Sequence, residues 1–431
     1  MKKSMLFRFA ALILALLMFS LTACSGGGKL VITGDPDETE ETAEVKDKPE
    51  KTYSVDQPYT RAMLDEIPVS NSSMSSDELR AICLRFARMQ GTLPWISSKS
   101  FSYILENGLE LKFDKDVVYG GCPYTNAGSS LYTYMDYVDE KTGLLDESVV
   151  NRVGETLGNN CCSALFWAWS RVSSTITFTH TQGLVPKTNM IPLGDYKIDP
   201  ELDSFRDKTT GAICKENGAQ KMFECYAKLL LADGMVVNNQ SDGTVGARHH
   251  VMMVSKLPEV VRNDDGTING KESFLTFVEQ DEVLRPYTLE NGMELQCEGH
   301  IDSRYSFENL FNTGYIPFTI PELVNPSSVQ KAVASISREN GATVTTQELR
   351  NAVVSTNYAL SKLIIKVKVE DGTTKDFSSY VSGVAKYEAA LGQVCVSIDR
   401  QLEKGSYEIE IRALVGSGET VPVFTGTLVK E

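Results

Sequence analysis

Three short stretches carry residue types that could do covalent chemistry. The first is a polar turn, Gly158-Asn159-Asn160, running into Cys161-Cys162-Ser163 and then into the apolar run Ala164-Leu165-Phe166-Trp167-Ala168-Trp169. This pattern predicts a buried helix with a thiol in its first turn. Unpaired backbone N–H groups and the positive end of the helix dipole favour thiolate over thiol there, which is how a cysteine becomes a nucleophile. The second stretch is Arg248-His249-His250-Val251-Met252-Met253-Val254, a histidine pair entering a run with the texture of a buried strand. The third, Phe274-Leu275-Thr276-Phe277-Val278-Glu279-Gln280, is another apolar run, ending in a carboxylate and an amide. A nucleophilic thiol needs a base, and the base needs a polar group to orient it. Each stretch taken alone reads as packing or a strand end; their order is what suggests chemistry.

The elements that would position these residues are partly legible. Leu79, Ile82, Cys83, Phe86 and Ala87 recur at helical spacing, so a helix is expected over about 75–89, with Ser76 and Asp77 suited to cap it. Gly91-Thr92-Leu93-Pro94-Trp95 should end that helix, and Tyr119 to Tyr124 is a turn-rich stretch ahead of the cysteines. A second helix is expected over about 220–231, followed by a strand starting at Met235. The segment 262–270 places Asp265, Asn269 and Gly270 as a calcium loop would. Thr267 and Thr276 fall at ligand positions, however, so a hairpin tip is expected instead. Beyond Asn325-Pro326 the texture changes to strands: Leu363 to Val369 is one, and Tyr407, Ile409 and Ile411 alternate with charged residues as another.

Length, charge and the first residues bound the setting. The chain has 431 residues with 42% hydrophobic content, enough for two or three domains. Its net charge of −15 argues against nucleic acid and against attraction to an anionic surface. Met1-Lys2-Lys3 followed by an apolar stretch has the form of a secretory signal. Leu21-Thr22-Ala23-Cys24 resembles the lipobox of bacterial lipoproteins, which implies cleavage before Cys24 and lipid on its sulfur. The acidic residues that follow cannot bury a core and predict a solvated tether. The expected organisation is therefore a signal at 1–23, a tether at 24–58, a catalytic domain at 59–325 and a β-rich module at 326–431. Of nine cysteines, eight remain when Cys24 is set aside, at irregular spacing that does not suggest a disulfide scaffold.

Taken together, the cysteine, histidine and polar strand end resemble the NlpC-type family of papain-like cell-wall peptidases. The family nucleophile sits in Asp-Cys-Ser-Gly before an apolar helix. Cys161-Cys162-Ser163-Ala164 matches at the cysteine and serine and departs at the other two positions. The resemblance implies a papain-like core; with the helical N-terminal part and the strand-rich texture beyond 326, the expected fold is α+β with a C-terminal β-sandwich-like module. It makes Cys162 the nucleophile, His250 the base, and Glu279 or Gln280 the orienting group, with Glu279 favoured. Gly121-Cys122-Pro123-Tyr124 matches the family's Gly-x-Pro-Tyr and places Tyr124 beside the thiol. The long separation of cysteine and histidine implies an insertion around 173–217. The implied substrate is a peptidoglycan stem peptide or another amide-bearing exported molecule, cleaved without a cofactor by a lipid-anchored enzyme at the outer face of a bacterial membrane. Two rivals stand beside this reading: a non-catalytic surface protein on the same fold, and a zinc site using His249, His250, Cys297 and His300.

Overall fold

The computed structural model describes residues 29–31, 60–105, 108–150, 152–240 and 248–431. The expected signal, Cys24 and nearly all of the expected tether lie outside these residues. No helix among the described residues is long and apolar enough to cross a membrane.

The architecture is mixed α+β, with two main hydrophobic cores. The first is built on an eight-stranded sheet. Across it run Pro94–Ile96, Val118–Gly120, Glu294–Ser306, Phe274–Thr288, His249–Glu259, Gly234–Asn238, Ile316–Thr319 and Ile191–Pro192. The four long central neighbours, from Glu294–Ser306 to Gly234–Asn238, are antiparallel. Two helices, Ser76–Thr92 and Cys161–Trp169, pack against this centre.

The first helix begins where Ser75 accepts a hydrogen bond from the Glu78 N–H and the Glu78 carboxylate accepts from the Ser75 N–H. The cap is thus one residue earlier than expected. Leu79, Ile82, Cys83 and Phe86 form its buried stripe. Its last turn lies directly on the strand Glu294–Ser306, because Gly91 meets Gly299 there. A Cβ on Gly299 would come within 2.6 Å of the Gly91 carbonyl oxygen.

The segment 262–270 links the histidine strand to the glutamate strand, and the Asp265 carboxylate accepts the Thr267 N–H at 2.9 Å, which uses it within the turn. The expected second helix is shorter, Ala219–Tyr226, with Met222, Phe223 and Tyr226 buried.

The second core holds a five-stranded sheet that includes Leu360–Lys368 and Gly405–Val415, together with a three-stranded sheet. It also contains a helix, Gly392–Gln401, which buries Val394, Cys395 and Ile398. Val329 belongs to the first core and Ala332 to the second, so the cores part between them. Contacts join them all the same. Ala359 and Leu414 pack into the first core, the Tyr387 hydroxyl donates to the Ile176 carbonyl at 2.7 Å, and Lys362 pairs with Asp136 at 2.6 Å.

Candidate active site

The cysteine helix starts at a capping box. The Asn160 side chain accepts the Ser163 N–H, and the Ser163 hydroxyl accepts the Asn160 N–H. The first intrahelical bond runs from the Ala164 N–H to the Asn160 carbonyl, so the N–H groups of Cys161 and Cys162 precede it. Both thiols are buried, each about 6% exposed, with their sulfurs 3.9 Å apart.

Adjacent helical residues point in different directions, and this separates the two thiols. Cys161 lies against the His250 ring and the Val251 N–H, whereas Cys162 faces the N–H of Thr181 in the segment between helix and histidine strand. The structure therefore brings Cys161 to the histidine, one residue before the Cys162 that the motif alignment selects. The helix start fixed by Asn160 and the covering segment around Thr181 decide which thiol meets the ring.

His250 is the second residue of its strand, pairs with Val237 and is 5% exposed. Its Nε2 donates to Glu279 Oε2 at 2.8 Å, which leaves the Nδ1 edge for the thiol. Glu279, 3% exposed, lies on the neighbouring strand. Its other oxygen, Oε1, accepts from the Tyr305 hydroxyl at 3.0 Å.

The electrostatics follow from these contacts. For Cys161 a hydrogen bond from the Cys162 thiol comes first; burial works against ionisation, but the bonds from His250 and Val251 and the imidazolium charge leave it well below the ordinary range. Cys162 moves the opposite way: its S–H is engaged by Cys161, it is buried, and it faces Cys161's charge. For His250, burial alone would lower the value, but its bonds to Cys161 and Glu279 and their charges raise it to about 10. Burial likewise pushes Glu279 up, and the bonds and charge of His250, with His300, overcome that and hold the carboxylate well below its usual range. These contacts thus move the Cys161 thiol down and the His250 ring up, with the Glu279 carboxylate beside the ring.

The remaining expected residues take distinct places. Pro123 and Thr125 are stitched to Asn159, whose N–H donates to the Pro123 carbonyl at 2.9 Å, and this sets Tyr124 half-buried beside the thiols. Burial and the charges of Cys161 and Cys162 raise the Tyr124 phenol. Glu279 and Gln280 are both buried, although simple alternation would turn only one inward. Glu279 holds the histidine, while Gln280 Nε2 donates to the Cys122 carbonyl at 2.6 Å and steadies the turn that carries Tyr124.

The four residues of the zinc rival do not converge. His249 is exposed on the opposite side of its strand from His250, and Cys297 is sealed in a small cluster with Leu289 and Leu295.

One residue near the site escaped the sequence: Glu298, 2% exposed, whose Oε2 accepts the Tyr124 N–H at 2.6 Å. Its Oε1 has no hydrogen-bond partner among the described residues. Burial, followed by the nearby charges of Asp281 and Glu282, outweighs the Tyr124 bond and raises it to about 8. The available signal was a carboxylate between Cys297 and His300 in the interior of a strand. Set against known families and curated proteins, this chain matches no family model and no curated protein.

Proposed function

We propose that this chain is a cysteine-dependent amide hydrolase of papain-like, NlpC-type character, held by lipid at Cys24 on the outer face of a bacterial membrane. Its substrate on this reading is a peptidoglycan stem peptide or another exported amide. The observation that carries it is the buried succession in which Cys161 lies against His250 and the His250 Nε2 is hydrogen-bonded to Glu279 at 2.8 Å.

In this mechanism the Cys161 thiolate attacks the amide carbonyl carbon. The N–H groups at the helix start lie where a tetrahedral oxyanion would be stabilised. The His250 imidazolium then gives its proton to the leaving nitrogen as the C–N bond breaks, leaving a thioester. A water molecule, deprotonated by His250, attacks the thioester and releases the acid and the thiolate. Glu279 keeps the histidine ring oriented and stabilises its charged form. Cys162 donates to Cys161 in the resting state, and Tyr124 forms one wall.

The test is labelling with a thiol-reactive, amide-mimicking probe. Cys161→Ala should abolish labelling and any turnover, whereas Cys162→Ala should keep both at reduced rate, because it loses only a hydrogen-bond donor. The reverse result would return the nucleophile to Cys162. A chelator should leave labelling intact. The second reading, a binding protein on the same fold, draws support from the deep burial of Cys161; it requires that a probe reach neither thiol faster than it reaches an ordinary buried cysteine.

A further inference from the structure

Behind the catalytic histidine lies a second constellation that the hydrolytic scheme leaves unused. His300 sits opposite Glu279 in the paired strands and is buried. Its Nε2 is 2.8 Å from the Val283 carbonyl oxygen and 3.1 Å from that of Cys297. Both partners only accept, so Nε2 carries a hydrogen and the ring turns Nδ1 the other way. That Nδ1 is buried without a hydrogen-bond partner among the described residues, and the atom it faces is Glu279 Oε1, 3.8 Å away. The two atoms thus oppose each other across a gap too long for a direct hydrogen bond.

A third donor stands at the same place. One carboxylate oxygen of Asp281 joins Glu279 and His300 in a group whose ligand atoms all lie within 4.8 Å of one another. Asp281 is half-exposed, which gives an entry path from solvent, and its ion pair among the described residues is a 3.5 Å contact with Arg285. We propose that Glu279, Asp281 and His300 form a binding site for a divalent transition-metal cation of the zinc type.

The donor set fits this choice. One imidazole and two carboxylates match the preferences of zinc, and the two negative charges balance a divalent ion. Tetrahedral zinc would hold its ligand atoms about 3.4 Å apart, so the Nδ1 to Oε1 separation needs to close only slightly. The Nε2–H bonds to backbone carbonyls are the support that fixes a metal-binding histidine in one tautomer. Magnesium and calcium, which take oxygen ligands, fit less well.

A cation here would draw electron density from Glu279, the carboxylate that supports His250. Bound zinc should therefore restrain the thiol. That effect rests on the proposed role of Cys161 and His250, whereas binding itself does not.

Calorimetric titration with zinc separates the two. In a Cys161→Ala/Cys162→Ala protein, zinc should bind with a stoichiometry of one. Binding should weaken at least tenfold in Asp281→Asn and vanish in His300→Phe, each made in that thiol-free background. Should the thiol-free protein fold poorly, zinc should raise the melting temperature of the wild-type protein but not that of Asp281→Asn. Binding that disappears with the thiols would place zinc on Cys161 and overturn the proposal. Equal binding with and without Asp281 and His300 would do the same. No binding at millimolar zinc would overturn the site. If zinc binds as expected but leaves probe labelling of Cys161 unchanged, the site stands and its link to the thiol falls.

Discussion

Glu279 and Glu298 are the same residue type on adjacent strands, both almost wholly removed from water, and their surroundings drive them in opposite directions. Around Glu279 stand donors: His250 at 2.8 Å and the Tyr305 hydroxyl at 3.0 Å. Around Glu298 stands one backbone N–H, with Asp281 and Glu282 adding like charge, and one oxygen has no partner among the described residues. Burial penalises the charged form in both. It is overcome only where hydrogen bonds and an opposite charge meet the carboxylate. Depth alone therefore does not set the charge of a buried acid in this protein; the partners do.

The sharpest way to break this contrast is Glu279→Gln. The amide keeps the size and can still accept from His250, but the charge that helps raise the histidine to about 10 is gone. Labelling of Cys161 at neutral pH should slow by about 100-fold or more, in the range known for losing a group that supports a catalytic base. The rate should then rise with pH toward that of an ordinary thiol, about 8.5. An unchanged pH profile would mean that the pair does not depend on Glu279.

Glu298→Gln probes the other side and reads stability instead of rate. The folded value is raised to about 8 from the ordinary 4.5. Its contribution is therefore fully present below pH 4.5 and is lost as pH rises toward 8, every tenfold gain in proton affinity on folding being worth about 1.4 kcal/mol. The wild-type melting temperature should fall over that window, and the glutamine variant should fall less steeply. Labelling at pH 7 should change no more than a few-fold. Parallel melting curves for the two proteins would show that Glu298 ionises normally.

How much of this was visible in the sequence depends on what each inference needed. The apolar run after Asn160 and the stripe Leu79, Ile82, Cys83, Phe86 are periodic, so the two helices that flank the site could be located from local pattern. His250 and Glu279 stood out in the sequence because each marks one end of an apolar run, although Glu279 lies within the longer strand Phe274–Thr288. The choice between Cys161 and Cys162 was not, since it turns on where a helix starts to within one residue and on which neighbour, Thr181 or His250, covers each thiol. The joint burial of Glu279 and Gln280 escaped because alternation describes a sheet with one wet face. Here the carbonyl of Cys122, in the turn after the strand Val118–Gly120, receives Gln280. The helix Gly392–Gln401 escaped for a related reason. Its Val394, Val396 and Ile398 suit a strand, and burial of Val394, Cys395 and Ile398 on one helical face overrides that preference.

The smallest expected effect comes from Tyr305→Phe, which tests whether the donors around Glu279 act in sum. The Tyr305 hydroxyl reaches Oε1, the oxygen that does not touch His250. Removing it leaves the Glu279–His250 bond and the ring packing in place and takes away one donor to a carboxylate, worth about 1.5 to 3 kcal/mol when buried and less at this half-buried position. Glu279 should then be held down less firmly and His250 held up less firmly, so the pH midpoint for Cys161 labelling should rise slightly. The neutral-pH rate should fall several-fold, well short of the Glu279→Gln loss. Oε1 is also the oxygen that faces His300, so the variant leaves it more open to a cation, and zinc should bind Tyr305→Phe at least as well as the wild type. A loss as large as that of Glu279→Gln would mean that Tyr305 itself contacts the reacting groups. No change at all would mean that the other groups around Glu279, His250 first among them, set its state without the hydroxyl, and the contrast with Glu298 would then rest on those groups.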